Sequence, residues 1–180
     1  PHFYISQEVD AEPLFFLREQ LKNGNVKVTY NDFVVRACAL ALREHPHVNS
    51  GFNSVNQSII LFKTIDISIA VTVDGGLITP IVFAAEEKTC VVIAAEARAL
   101  SERARAGQLK PDEYNGGTFT ISNLGMYGIT SFGSIINPPH ATILAVGAAR
   151  RQPVETAQGG IGFISQMTVT LSCDHRVVDG

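Results

Sequence analysis

Between positions 65 and 73 every second residue is a branched aliphatic: Ile65, Ile67, Ile69, Val71 and Val73. Strict alternation places these side chains on one face of a strand, and β-branching favours extended backbone. The run closes on Asp74-Gly75-Gly76, a tight-turn signal, and residues 77–83 read as the returning strand of a hairpin. Pro80 lies inside that return strand, where its missing N–H argues for an edge, a bulge or a break. A sheet with one apolar face must be covered, so the next question is which segments supply the cover.

Residues 30–44, capped by Thr29, are apolar nearly all round through Phe33-Val34-Val35 and the stretch 37–42, which marks a buried helix ended by Pro46. Residues 89–106 form a long alanine-rich helix with Glu96, Arg98, Glu102, Arg103 and Arg105 on its outer side and Gly107 at its close. A shorter helix over 11–22 carries Leu14, Phe15, Leu17 and Leu21, follows a strand over 2–9 and stops at Asn23-Gly24-Asn25. Further strands are expected at 59–62, 118–122, 141–149 and 163–173, the last two separated by a Gly159-Gly160 turn. Strands and helices alternate without a repeat or a linker. The expected architecture is α/β, a two-layer sandwich with a mixed β-sheet, in one domain spanning residues 1–180.

Composition removes several function classes. Hydrophobic content of 46% with 17% charged residues describes a globular chain, and 180 residues can bury a core without staples. A net charge of −3, with Arg150-Arg151 the only adjacent basic pair, leaves no electrostatic footprint for nucleic acid. No apolar run reaches the ~18–20 residues that span a bilayer, so no membrane partner is expected. Cys38, Cys90 and Cys173 lie far apart and read as reduced core thiols of a reducing compartment. The first residue is Pro1, so the chain reads as a piece of a longer protein.

The chemistry concentrates where the last strand ends, in Asp174-His175-Arg176-Val177-Val178-Asp179-Gly180. Histidine, with an unperturbed pKa of about 6.5, takes and returns a proton near neutral pH. If the chain turns helical after Cys173, Asp179 shares a face with His175 and can support the imidazole. The motif equally suits a capped turn with a satisfied histidine. Ser122, at the end of a strand in Thr120-Ile121-Ser122-Asn123-Leu124-Gly125, can donate to an oxyanion, act as a nucleophile, or simply bond its own turn. The nucleophile-elbow pattern GxSxG is absent, which counts against a serine hydrolase. Cys173, His175 and Asp179 lack the paired ligands of a zinc site, so no metal is expected. Gly75-Gly76 and Gly116-Gly117 fit no phosphate-binding spacing and read as turns.

The closing heptad resembles the DHRxxDG signature of the 2-oxoacid dehydrogenase acyltransferases. Supporting segments are Pro1-His2-Phe3-Tyr4, Asn31-Asp32-Phe33, the run 76–82, Gly117 through Gly125, and Ile136-Asn137-Pro138-Pro139. The likeness covers essentially the whole chain, and SNLGMYG followed by INPP is most similar to the acetyl-transferring branch that serves the pyruvate dehydrogenase complex. The resemblance implies a chloramphenicol-acetyltransferase-like fold and a homotrimer with active sites between subunits. It implies coenzyme A as substrate and a lipoyl group carried on a separate lipoyl domain. By position, His175 matches the family's catalytic histidine, Asp179 its acidic position and Ser122 its oxyanion-stabilising serine, which would face the histidine of a neighbouring subunit.

The implied partners are the pyruvate dehydrogenase and dihydrolipoamide dehydrogenase components. The implied location is the cytoplasm of a bacterium or the mitochondrial matrix of a eukaryote. Arg176 is expected to form an ion pair that positions the loop. Relatives continue beyond Gly180 and begin before Pro1, so the chain is expected to be truncated at both ends, unable to build the family's large shell and inactive alone. Two alternatives remain: a non-catalytic structural subunit of the same complex, and a free-standing coenzyme A-dependent acetyltransferase.

Overall fold

The computed structural model describes all residues, 1–180. Strand β1 (His2–Asp10) leads into α1 (Glu12–Asn23) and α2 (Tyr30–Glu44), then the hairpin β2 (Ser50–Asn53) and β3 (Ser58–Leu61). Four short strands follow: β4 (Ile67–Ile69), β5 (Val71–Val73), β6 (Gly76–Ile78) and β7 (Ile81–Val82). Helix α3 (Cys90–Arg105) precedes β8 (Phe119–Asn123), β9 (Thr142–Val146), β10 (Arg150–Glu155) and β11 (Ile161–Asp174).

Local chemistry accounts for the helix starts. The Thr29 hydroxyl accepts from Asp32 N while the Asp32 carboxylate accepts from Thr29 N at 2.7 Å, a reciprocal capping box. Thr89 caps α3 through Val92 N. Helix α1 has no fully buried residue, whereas α2 and α3 bury Val34, Val35, Leu42, Ile93 and Ala97 against the sheet. Ile67, Ile121, Val82 and Phe119 meet them from the strands. Each large aliphatic so enclosed stabilises the fold by about 1.5–3 kcal/mol.

The main sheet has seven strands in the order β1-β11-β9-β8-β4-β7, with β10 beside the first half of β11. The β4–β8 and β8–β9 pairs are parallel and the others antiparallel, so the sheet is mixed as expected. Alternation sorts its faces. Phe119, Ile121, Leu144, Val146, Val169 and Leu171 face the helices. Ser68, Thr120, Ser122, Thr170 and Ser172 take the opposite face.

Three departures from the sequence expectation have physical causes. The run 65–73 is not one strand: β4 belongs to the main sheet and β5 to a separate pair with β6. The register is nevertheless continuous, with Ile67 opposite Val82 and Val71 opposite Ile78. The interruption falls opposite Pro80, whose carbonyl accepts from Ile69 N at 2.9 Å but which has no N–H to return. The expected strand 141–149 ends at Val146: Gly147 N still reaches Thr168 O, but Ala148 N turns to Ile129 O at 2.7 Å, and Gly147 lies so close to Thr130 that a Cβ would meet its carbonyl oxygen at 1.9 Å. The chain resumes as β10 with its register on β11 shifted by one residue, a bulge. Neither β10, which begins Arg-Arg-Gln-Pro, nor β2, with its glycine and asparagine, has the branched composition that announces a strand.

Candidate active site

Strand β11 delivers the motif at its end. Asp174 N donates to Ala141 O at 2.8 Å, and Asp174 O accepts from Val177 N and Val178 N at 3.0 Å each, turning the chain out of the sheet. The Asp174 carboxylate accepts from Arg176 N, Arg176 Nε and Arg176 Nη2, the last at 2.7 Å. This hydrogen bonding with Arg176 holds the Asp174 carboxyl below the usual carboxylate range. Arg176 also lies over the Phe52 ring, 3.9 Å from its centroid. The expected ion-pair role of Arg176 thus takes a definite form: it grips Asp174 and anchors the turn on the β2–β3 hairpin.

His175 sits on this brace with its backbone tied and its imidazole free. Its N–H donates to Pro1 O at 3.0 Å, and its ring packs at 4.8 Å on Phe3. The side chain is 58% exposed, and Asp179 Oδ1 lies 3.7 Å from Nδ1, beyond hydrogen-bond length. Asp179 is almost fully exposed and, at this distance, makes no hydrogen bond that would fix a tautomer. Cys173 is fully buried in the core, where burial pushes its thiol up to about 11. It does not converge with His175 on a common metal position.

Ser122 occupies the other end of the sheet. It pairs with Ala145 on β9, and Ala145 pairs with Thr170 on β11, five residues before His175. At about 3.3 Å per residue and 4.8 Å per strand, the serine and the histidine are about 20 Å apart in one protomer. A hydroxyl donor has to reach about 3 Å from a developing oxyanion. One chain therefore does not bring its own Ser122 and His175 together.

Around Ser122 a cleft of about 930 Å³ opens at the carboxyl ends of the parallel strands β4, β8 and β9, the usual place for a ligand in an α/β sheet. The start of α2, the turn Gly125–Tyr127 and Arg98 and Arg105 of α3 line it; His175 does not. Two features of the fold escaped the sequence reading. Asn123 Nδ2 donates to Asn31 Oδ1 at 3.1 Å, joining segments 92 residues apart, and Asn123 Oδ1 accepts from Gly125 N at 2.9 Å. His140 is a buried structural residue whose two ring nitrogens bond Thr120 Oγ1 and Gly116 O, each at 3.1 Å. Only contact across the fold distinguishes these side chains, so the local pattern carries no signal beyond the Asn31-Asp32-Phe33 segment.

Residues 1–180 match the family model of the 2-oxoacid dehydrogenases acyltransferase (catalytic domain). The chain belongs to this family. It is 43% identical over 184 residues to the dihydrolipoyllysine-residue acetyltransferase component of the pyruvate dehydrogenase complex of Zymomonas mobilis, covering 100% of this chain and 41% of that protein. It is 48% identical over 164 residues to a mitochondrial pyruvate dehydrogenase complex subunit homolog of Dictyostelium discoideum, covering 87% of this chain and 40% of that one. The chain thus spans about two fifths of the length of these curated relatives, which include bacterial and mitochondrial proteins.

Among solved structures, dihydrolipoamide acetyltransferase of Azotobacter vinelandii superposes with a TM-score of 0.93 at 35% identity, over 100% of this chain and 75% of that one. That structure comes from work on the roles of a serine, a histidine and an asparagine in its catalytic mechanism, the asparagine four positions after the histidine. The cubic core of the pyruvate dehydrogenase multienzyme complex fits equally well, at 0.93. Chloramphenicol acetyltransferase, 17% identical, superposes at 0.65 over 100% of this chain and 82% of its own and shares the fold. The acyltransferase family fold is therefore chloramphenicol-acetyltransferase-like, as the sequence resemblance implied.

Proposed function

We propose that this chain is the acetyl-transferring core of a longer acyltransferase subunit of a pyruvate dehydrogenase complex. It moves an acetyl group between dihydrolipoamide, carried on a lipoyl domain, and coenzyme A. The observation that carries the reading is the presentation of His175: a turn over-determined by Asp174 and Arg176 holds out an imidazole whose nitrogens make no hydrogen bond. A histidine kept for structure is engaged at its ring, as His140 is.

The chemistry follows from the groups in hand. A thiol of pKa about 8.5 is mostly protonated at neutral pH and a weak nucleophile in that form. Neutral His175 accepts the proton of the coenzyme A thiol as its sulfur attacks the acetyl thioester carbon. The carbonyl oxygen gathers negative charge, and the Ser122 hydroxyl donates to it. The intermediate collapses with cleavage of the bond to the dihydrolipoamide sulfur, and His175 returns its proton to that departing thiolate. Acetyl-coenzyme A and free dihydrolipoamide result without an acyl-enzyme. Asp179 supports the imidazolium through space.

The roughly 20 Å between Ser122 and His175 within one chain supports a shared site, with the serine of one subunit serving the histidine of the next. We propose a homotrimer as the smallest assembly with complete sites. The partners in this reading are the lipoyl domain and the pyruvate dehydrogenase and dihydrolipoamide dehydrogenase components. It works in the cytoplasm of a bacterium or the matrix of a mitochondrion.

The test is acetyl transfer from an acetylated lipoyl domain to coenzyme A by the full-length subunit. Mixing His175→Ala subunits with Ser122→Ala subunits should restore activity to a fraction of the sites, because a shared site can then combine one intact histidine with one intact serine. Failure of the mixture to recover, with trimers demonstrably mixed, would overturn the shared site. Parent-like activity of His175→Ala would overturn the mechanism itself.

A further inference from the structure

Beside Ser122 lies a residue tied more heavily than the end of a strand requires. Alternation along β8 turns Asn123 towards the helix layer, away from the face that carries Thr120 and Ser122. Its carboxamide there makes two bonds at once. The Nδ2 donates to Asn31 Oδ1 at 3.1 Å, and the Oδ1 accepts from Gly125 N at 2.9 Å. The first bond reaches the start of α2; the second closes the turn that follows the serine.

Both anchors are themselves stiff. Asn31 is the second residue of α2, inside the capping box that Thr29 and Asp32 form. The turn packs closely on its surroundings: a Cβ at Gly125 would lie 3.0 Å from Gly147 O and 3.1 Å from Asn123 Oδ1. Beyond it Met126 and Tyr127 are 76% and 62% exposed, at the rim of the cleft that Ser122, Asn123 and Asn31 line. The packed part of this wall and its exposed part are thus divided at Gly125.

We infer that the Asn31–Asn123 pair is a positioning latch for the oxyanion donor. It clamps the strand end that carries Ser122 to the first turn of α2, so the serine hydroxyl keeps its aim while the rim side chains adapt to the substrates. The inference rests on Ser122 acting as proposed above. Its physical basis is the steep distance and angle dependence of a hydrogen bond to a developing charge, where a shift of about 1 Å can cost up to a hundredfold in rate.

Asn31→Ala removes the bond across the two elements and leaves both the capping box and the bond to Gly125 N in place. In the full-length acyltransferase it should lower kcat for acetyl transfer about tenfold or more, with KM for coenzyme A and for the acetylated lipoyl domain within about twofold. The melting temperature should stay within a few degrees of the parent. Asn31→Asp keeps an oxygen that accepts from Asn123 Nδ2 and should return kcat close to the parent value. Parent-like kcat in Asn31→Ala overturns the latch, as does a loss in both variants that tracks a fall in melting temperature.

Ser122→Ala, measured alongside, separates the role of the serine from that of the latch. If it turns over at the parent rate, the oxyanion role fails and the latch fails with it. If it is slow while Asn31→Ala runs at the parent rate, the latch alone is overturned.

Discussion

His140 and His175 are the same side chain held in opposite ways. His140 is 2% exposed and has both ring nitrogens engaged. Because the Gly116 carbonyl can only accept, Nε2 carries the hydrogen and Nδ1 accepts from the Thr120 hydroxyl. Burial lowers its pKa, which favours the neutral ring. His175 is held by its backbone and by ring packing on Phe3, and its nitrogens make no hydrogen bond. One ring spends its hydrogen bonds on the fold, whereas the other is oriented by its backbone and its neighbours and keeps them free.

The largest expected effect separates the two residues most sharply. In the full-length protein His175→Ala should cut acetyl transfer by as much as 10⁴-fold, the upper range for a general base, while denaturant unfolding stays close to the parent. A comparable loss of stability would erase the distinction. Ser122→Ala should lower kcat by about 10²–10³-fold, equivalent to roughly 2.7–4 kcal/mol, with KM for coenzyme A nearly unchanged. A rise in KM at constant kcat would instead make Ser122 a ground-state contact.

His140→Ala should show the reverse pattern. It leaves the Gly116 carbonyl and Thr120 hydroxyl unpaired around a cavity, at a cost of about 3 kcal/mol in unfolding free energy. The smaller effect is one of pH. The folded-state pKa of His140 lies below its ordinary 6.5, so the unfolded chain binds the proton more readily. Its contribution to stability is complete above about 6.5 and is lost as pH falls through the folded value. Asp174, also depressed, gives up its contribution only further down, below the ordinary 3.8. Melting temperatures between pH 8 and 5.5 should therefore fall for the parent and fall less for His140→Gln; parallel curves would remove His140 as the cause.

Arg176→Met should cost less stability than His140→Ala. It deletes the carboxylate grip and the cation over Phe52 but keeps an apolar stem there. The turn should loosen, which hydrogen exchange at Val177 and Val178 would report as faster opening, and kcat should fall further than melting temperature. Unchanged exchange would mean that the backbone bonds from Asp174 O suffice to hold the motif.

Helix α2 was legible to the residue, because Thr29 and Asp32 form a local box that needs nothing from the rest of the chain. The Asp-Gly turn and the disruptive effect of Pro80 were legible for the same reason. The split of the run 65–73 was not, because it depends on which strand each half finds as a neighbour. Strand β10 was invisible because an exposed edge beside β11 tolerates arginine, glutamine and proline.

The sequence by itself determined the α/β class and the caps and turns, and it singled out His175, Ser122 and Asp179 as candidate site residues, since those depend on side-chain chemistry and on spacings of a few residues. Only the tertiary structure decided where the groups stand. It placed His175 and Ser122 at opposite ends of one sheet, joined Asn31 to Asn123 and buried His140. The physical reason is that strand register carries position over distances of tens of ångströms, and register is settled by packing between segments far apart in the chain.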